Sequence, residues 1–177
     1  RTDLKFQTSS GAYALRFDQV QFAAFDLFIL KREQASKEYG EEEIAEAKSA
    51  FEAMSKQEVE QLTNNIIAGL PGKMADAYSL DDFRQMLNKY QGMSHENFRK
   101  NLFSFLEKVL PEAEKLGVKL AIHPDDPPRD LLGLPRVICT ADDLNLLFDK
   151  SLISCLYKYI RFIPFQTKSL ISFAYAS

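Results

Sequence analysis

The run Val118–Ile122 is the one clear core strand in a chain otherwise patterned for helices. One strand cannot make a sheet, so the sequence implies a partner surface that this chain does not itself supply. Directly behind the run comes His-Pro-Asp-Asp-Pro-Pro-Arg, residues His123 to Arg129. It places a histidine and two carboxylates at a strand end, on a loop stiffened by prolines. Strand ends are where α/β enzymes put metals and substrates.

The remaining pattern is read in three parts. Residues 1–17 are hairpin-like: Leu4-Lys5-Phe6 and Ala14 to Phe17 alternate around Ser9-Ser10-Gly11. Residues 18–117 are helical. Asp18 with Gln21, Ser55 with Glu58 and Ser79 with Asp82 have the spacing of N-terminal caps, and Ser94 caps the last helix of this part. Glu41, Glu42 and Glu43 open a helix at its positive end, as a solvated start rather than a metal site. The run Val20–Leu30 is apolar nearly all round, so its helix is buried or docks on something. Gly69-Leu70-Pro71-Gly72 stops one helix, Pro111 is expected to kink or break another, and Gly117 to end it. Residues 118–150 are strand, loop and helix, with Thr140 and Asp143 as a further cap. Helix, strand, loop, helix is an α/β rhythm.

The chain has 177 residues, 46% hydrophobic and 27% charged, which suits an ordinary globular core. A net charge of −3 gives no basic surface for nucleic acid or an anionic membrane. No uncharged apolar stretch approaches the roughly 20 residues of a membrane span. Cys139 and Cys155 have no metal-ligand spacing, and a reducing, cytoplasmic compartment fits them. The N-terminus, Arg1-Thr2-Asp3, shows neither an initiator Met nor a signal peptide, so the chain is expected to begin inside a longer protein.

Residues 151–177 differ in character. They contain no Asp or Glu, and six aromatics: Tyr157, Tyr159, Phe162, Phe165, Phe173 and Tyr175. Residues 1–150 hold all 25 acids and 19 of the 22 basic residues. So abrupt a switch marks an aberrant aromatic tail, as from a frameshift or read-through. An aromatic core strand with a terminal helix is the other reading.

Of the candidate groups, His123 is suited to a divalent metal, because neutral imidazole is a common transition-metal ligand. Asp125 and Asp126 could ligate, orient the imidazole or move a proton. Arg129 could clamp a substrate carboxylate, and Arg136 offers a second guanidinium. Asp-Asp-Pro-Pro also describes an exposed turn, and a lone histidine is often structural. His95, in the first turn of a helix, reads as solvated, and Cys139 as a small buried residue.

Three separated segments carry a resemblance. They are Ala14-Leu-Arg-Phe-Asp-Gln-Val-Gln-Phe-Ala-Ala-Phe25, Asn65-Ile-Ile-Ala-Gly-Leu-Pro-Gly72, and Leu116-Gly-Val-Lys-Leu-Ala-Ile-His-Pro-Asp-Asp-Pro-Pro-Arg129 running on to Leu132-Gly-Leu-Pro-Arg136. In this order they closely resemble the mannonate dehydratase family, over residues 1 to about 150. The resemblance implies an α/β fold, as an incomplete fragment of a TIM (β/α)8 barrel. It implies dehydration of D-mannonate to 2-keto-3-deoxy-D-gluconate in hexuronate breakdown, with Mn²⁺ or Fe²⁺. His123 takes the role of a metal ligand by the same resemblance. Asp125, Asp126 and Arg129 are left as substrate-binding or ligand-orienting candidates, and a homo-oligomeric parent is left open.

The chain departs from the family pattern in ways that matter. A whole barrel takes roughly 250 residues. The family's next metal ligand lies in a Thr-x-Cys-Thr-Gly-Ser-like segment. Cys155, in Leu152-Ile-Ser-Cys-Leu156, has the wrong surroundings for it, and Cys139 does not match either. Later ligands and catalytic groups have no counterpart. The chain alone is therefore expected to be inactive and to bind metal weakly. Two alternatives stand beside this reading: a related metal-dependent sugar isomerase, and a non-enzymatic helical fragment that is inert or binds a partner.

Overall fold

A computed structural model describes residues 1–68, 79–120 and 122–149. The glycine-rich stop at residues 69–72 and the aromatic tail lie outside the described residues. The chain divides into two compact units, which meet in sequence between Gln91 and Gly92.

The first unit opens with a hairpin of β1 (Asp3–Gln7) and β2 (Tyr13–Arg16). The strands are antiparallel, with Phe6 opposite Ala14, Gln7 opposite Tyr13, and an irregularity between Asp3 and Phe6. Thr8 N–H donates to Ala12 O at 2.8 Å across the turn, where Gly11 takes φ 85°. That left-handed conformation suits glycine. Thr2 fastens the hairpin to the start of the first helix: its hydroxyl donates to Arg16 O and accepts from Asp18 N–H at 2.8 Å.

Asp18 caps α1 (Gln19–Ala24), accepting from Gln21 N–H at 3.1 Å. Phe22, Ala23, Ala24 and Phe25 are buried, as an all-round apolar pattern requires. The helix then widens into a π-helical segment, Phe25–Leu30, which ends at Lys31 with φ 54°. This segment carries Asp26 into the interior, where its side chain is fully buried. A buried carboxylate needs a cation and hydrogen bonds. Arg32 supplies both, donating from Nε to Oδ1 at 2.9 Å and from Nη2 to Oδ2 at 2.7 Å, and Tyr39 Oη adds a third bond. Burial alone would make the Arg32 guanidinium easier to deprotonate. The hydrogen bonds and charges of Asp26 and Glu38 outweigh that and hold it more firmly protonated.

Helix α2 (Glu41–Ala53) starts with Glu43 accepting from Gly40 N–H at 3.0 Å. Its Ala47 packs on Ala23 and Ala24, and Phe51 stacks on Phe28 with ring centroids 5.5 Å apart. Helix α3 (Lys56–Ala68) begins with the reciprocal pair Ser55 and Glu58 and buries Leu62, Ile66 and Ile67. Hydrogen bonds from Ser55 hold the Glu58 carboxyl below its usual range. Asn65 ties α3 back to Thr2 O. Helix α4 (Leu80–Asn88) is capped by Ser79 and Asp82 and packs Phe83 near Phe25. Arg84 Nε reaches Leu30 O at 2.8 Å.

The second unit is built on α5 (His95–Lys115), capped by Ser94. The helix runs unbroken through Pro111, so of the kink or break expected there the break does not occur. Proline there removes the N–H that would reach the carbonyl of Glu107, and both residues are exposed, so water can serve that carbonyl. Phe103, Leu106 and Leu110 form one core with Ile138 and with Leu147 of α6 (Ala141–Asp149).

The strand expected at Val118–Ile122 is corrected. Among the described residues of this run none joins a ladder. Leu120 and Ile122 instead pack against the α5–α6 core, while Val118 is about half exposed. A strand exists only through hydrogen bonds to a neighbour, and no neighbouring strand lies beside it among these residues. The observed architecture is mixed and mostly helical, with one two-stranded sheet; the described residues do not close a barrel.

Candidate functional site

The histidine loop leaves α5 from a fixed point. Gly117, at φ 68°, donates to Glu114 O, and Val118 N–H donates to Ala113 O at 2.8 Å. This paired closure is the Schellman motif, and glycine meets its left-handed requirement.

His123 is exposed, and its Nδ1 lies 2.7 Å from Pro124 O. A carbonyl only accepts, so Nδ1 carries a proton, and in the neutral ring the lone pair is then on Nε2. That tautomer presents Nε2 to a ligand.

Asp125 does different work. Its Oδ2 accepts from Val137 N–H at 2.8 Å and Ile138 N–H at 3.1 Å, and its own N–H donates to Ile138 O. It fastens the start of the loop to its end. Asp126 precedes a cis peptide to the buried Pro127. The carbonyls of Asp126 and Arg129 accept from Arg136, Nη2 at 3.3 Å and Nε at 3.1 Å. Arg136 therefore sits inside the curl of the loop and braces its backbone.

The tip turns at Leu131–Leu134, whose N–H and C=O groups exchange two hydrogen bonds of 3.1 and 2.9 Å. Leu132 and Gly133 both have positive φ, at 55° and 73°. The exit is fixed by Asp143 of α6. Its Oδ2 accepts from Cys139 N–H at 3.0 Å and Thr140 N–H at 2.9 Å, and Arg99 of α5 pairs with its Oδ1. Burial would raise the Asp143 carboxyl, but these bonds and the Arg99 charge lower it to about 2. Burial and the neighbouring Asp143 push the Cys139 thiol up, away from nucleophilic chemistry.

Two residues outside the sequence-derived candidate set complete the loop. Asp130 Oδ1 accepts from Arg136 N–H at 2.9 Å. Its Oδ2 lies 3.0 Å from His95 Nε2, while His95 Nδ1 lies 2.9 Å from Arg136 O. His95 is thus exposed, as expected, and also bound to the loop. Nothing local in the sequence signals contacts that span 35 and 41 positions.

The model of D-mannonate dehydratase (UxuA) matches residues 1–155. The chain belongs to the D-mannonate dehydratase family. Curated mannonate dehydratases of Brucella canis and Brucella melitensis are each 50% identical to it over 148 residues, which is 84% of this chain. The chain spans 37% of the length of these relatives. The histidine loop lies within the span of the family match.

A divalent metal asks more than these residues give. Among the described residues no group of three or more His, Cys, Asp or Glu side chains is gathered to hold one. His123 offers one nitrogen, and Asp125 Oδ2 is committed to backbone. A catalytic metal usually takes about three protein ligands, so the described residues do not fit a complete centre. No described helix is long and apolar enough to cross a membrane.

Proposed function

We propose that this chain is a portion of a metal-dependent hydro-lyase acting on D-mannonate, yielding 2-keto-3-deoxy-D-gluconate in hexuronate breakdown. The observation that carries the reading is family membership over residues 1–155, with the histidine loop inside that span. His123 is the residue offered to the metal, Mn²⁺ or Fe²⁺. The exposed ring, and the Nδ1 bond that puts the neutral ring's lone pair on Nε2, support this role. Arg129 and Asp126 are offered to the sugar acid or to ligand orientation. Asp125 is assigned instead to holding the loop, because its carboxylate binds Val137 and Ile138 N–H.

Dehydration removes a proton beside a carboxylate and expels a hydroxide, so it needs a base, a proton donor for the leaving oxygen, and stabilisation of the developing charge. The described residues supply one imidazole toward that set. By itself the chain is therefore proposed to be inactive and a weak metal binder. The acidic residues 1–150 are assigned to the enzyme and residues 151–177 to an aberrant tail; the family match stops at residue 155. A reducing, cytoplasmic setting is proposed from the cysteine usage, two cysteines with no paired spacing.

The test is a chimera in which residues 1–150 replace the matching stretch of a Brucella mannonate dehydratase. With Mn²⁺ it should dehydrate D-mannonate and leave free aldoses unchanged, and His123→Ala should abolish turnover. Aldose isomerisation, or full activity in His123→Ala, would sink the reading. The 177-residue chain alone should give no product under the same conditions.

A further inference from the structure

We propose that His95 is a positioning residue. As an imidazolium it clamps the 123–136 loop to the first turn of α5, so that the order of the loop follows a single proton.

The inference rests on the chemistry of its two partners. Nδ1 meets the carbonyl of Arg136 at 2.9 Å, and Nε2 meets the carboxylate of Asp130 at 3.0 Å. Both partners are acceptors. A neutral imidazole has one N–H, so it can satisfy one of them and must turn a lone pair toward the other. Only the doubly protonated ring donates to both.

The clamp closes on a single residue of the loop. Asp130 uses its second oxygen to accept from Arg136 N–H at 2.9 Å. His95 therefore grips residue 136 twice, directly through its carbonyl and through Asp130 at its N–H. The Arg136 side chain in turn braces the carbonyls of Arg129 and Asp126. Loss of one proton at His95 leaves one N–H for two acceptors, so one of the two contacts that join this braced curl to the helix is lost.

The charged surroundings define the balance. The carboxylate of Asp130 faces the ring, and His95 sits one residue after the Ser94 cap, at the positive end of α5. On α5 itself Glu96 is exposed and adjacent, and Arg99, one turn on, is engaged by Asp143 of α6. On the loop, Arg136 directs its guanidinium to carbonyls rather than to His95. The clamp concerns the geometry of the loop and stands whether or not His123 ligates a metal.

The test is NMR on the full 177-residue chain. Histidine ring nitrogens report protonation, and amide exchange reports loop order. With both ring nitrogens of His95 protonated, the Arg136 and Ile138 amides should be protected. As the ring titrates to neutral, their protection, corrected for intrinsic exchange, should fall about two- to fivefold, the size of one partly exposed charged contact. Asp130→Asn should lower the His95 midpoint, and His123→Gln should leave both readouts in place. His95→Gln should abolish the pH dependence. Should that variant not fold, Asp130→Asn on the native histidine decides alone. An unchanged His95 midpoint in Asp130→Asn, or loop protection indifferent to His95 titration, overturns the proposal.

Discussion

Asp26 and Arg32 are joined by two hydrogen bonds, 2.9 Å to Oδ1 and 2.7 Å to Oδ2, with the carboxylate fully buried. The guanidinium leaves little of itself to solvent and passes its other face to Glu38. Removing one member strands a charge in the interior. Arg32→Ala is therefore expected to destabilise the first unit by about 3–5 kcal/mol, measured by urea unfolding. Arg32→Lys should recover part of that, because an ammonium cannot reproduce the two-pronged contact. A loss under about 1 kcal/mol for Arg32→Ala, the range of an exposed pair, would show that Asp26 is not buried against it.

Acid should loosen the second unit in a defined window. Asp143 is held at about 2, against an ordinary 3.8, by backbone donors at Cys139 and Thr140 and by Arg99. A depressed folded pKa contributes stability that is complete above the unfolded value and lost as pH falls through the folded one. The contribution is about 2 kcal/mol, present above about pH 4 and lost toward about pH 2. Asp143→Asn should flatten the acid limb of the stability curve between those values. An unchanged acid limb in that variant would assign the acid sensitivity to other groups.

Gly117 fixes where the histidine loop begins. A Cβ there meets nothing within 4 Å, so the cost of Gly117→Ala is purely that of the positive φ. About 1 kcal/mol is expected, and less for Gly117→Asn, since asparagine visits the left-handed region more readily. Equal stability of all three would mean that the helix end is not held in this form.

Asp125→Ala should free the Val137 and Ile138 N–H groups. The cost should be about 1–3 kcal/mol. Asp125→Asn retains an acceptor and should cost less. Faster amide exchange at residues 137 and 138, with α1 to α3 unaffected, is the expected signature. Unaltered exchange at both positions would mean that the Asp125 carboxylate does not hold the loop.

The helix starts were legible because capping is local. Asp18, Ser55 with Glu58, Ser79 with Asp82, and Thr140 with Asp143 all satisfy backbone donors within three residues of themselves. The helix is not broken at Pro111 because the penalty of a mid-helix proline depends on what its lost partner faces, and that side of α5 is exposed. Val118–Ile122 misled for another reason: strand character is conferred by a neighbour, and residue types cannot supply one. The widening of the helix at Phe25 leaves no mark on periodicity over six residues. At the loop, the sequence marked His123, Asp125, Asp126 and Arg129 as candidates, but residue types alone could not show that the Asp125 carboxylate accepts from the Val137 and Ile138 N–H groups. It read His95 only as solvated and left out Asp130, because their meeting depends on how α5 and the loop fold together.

Ala23, Ala24 and Ala47 meet where α1 and α2 come together, each essentially without exposed surface. Methyl groups are the smallest side chains that still fill such a seam. A bulkier replacement at any one of them would have to push two helices apart, and a smaller one would leave a void. The three positions therefore share one allowance of volume, and a gain at one has to be met by a loss at another.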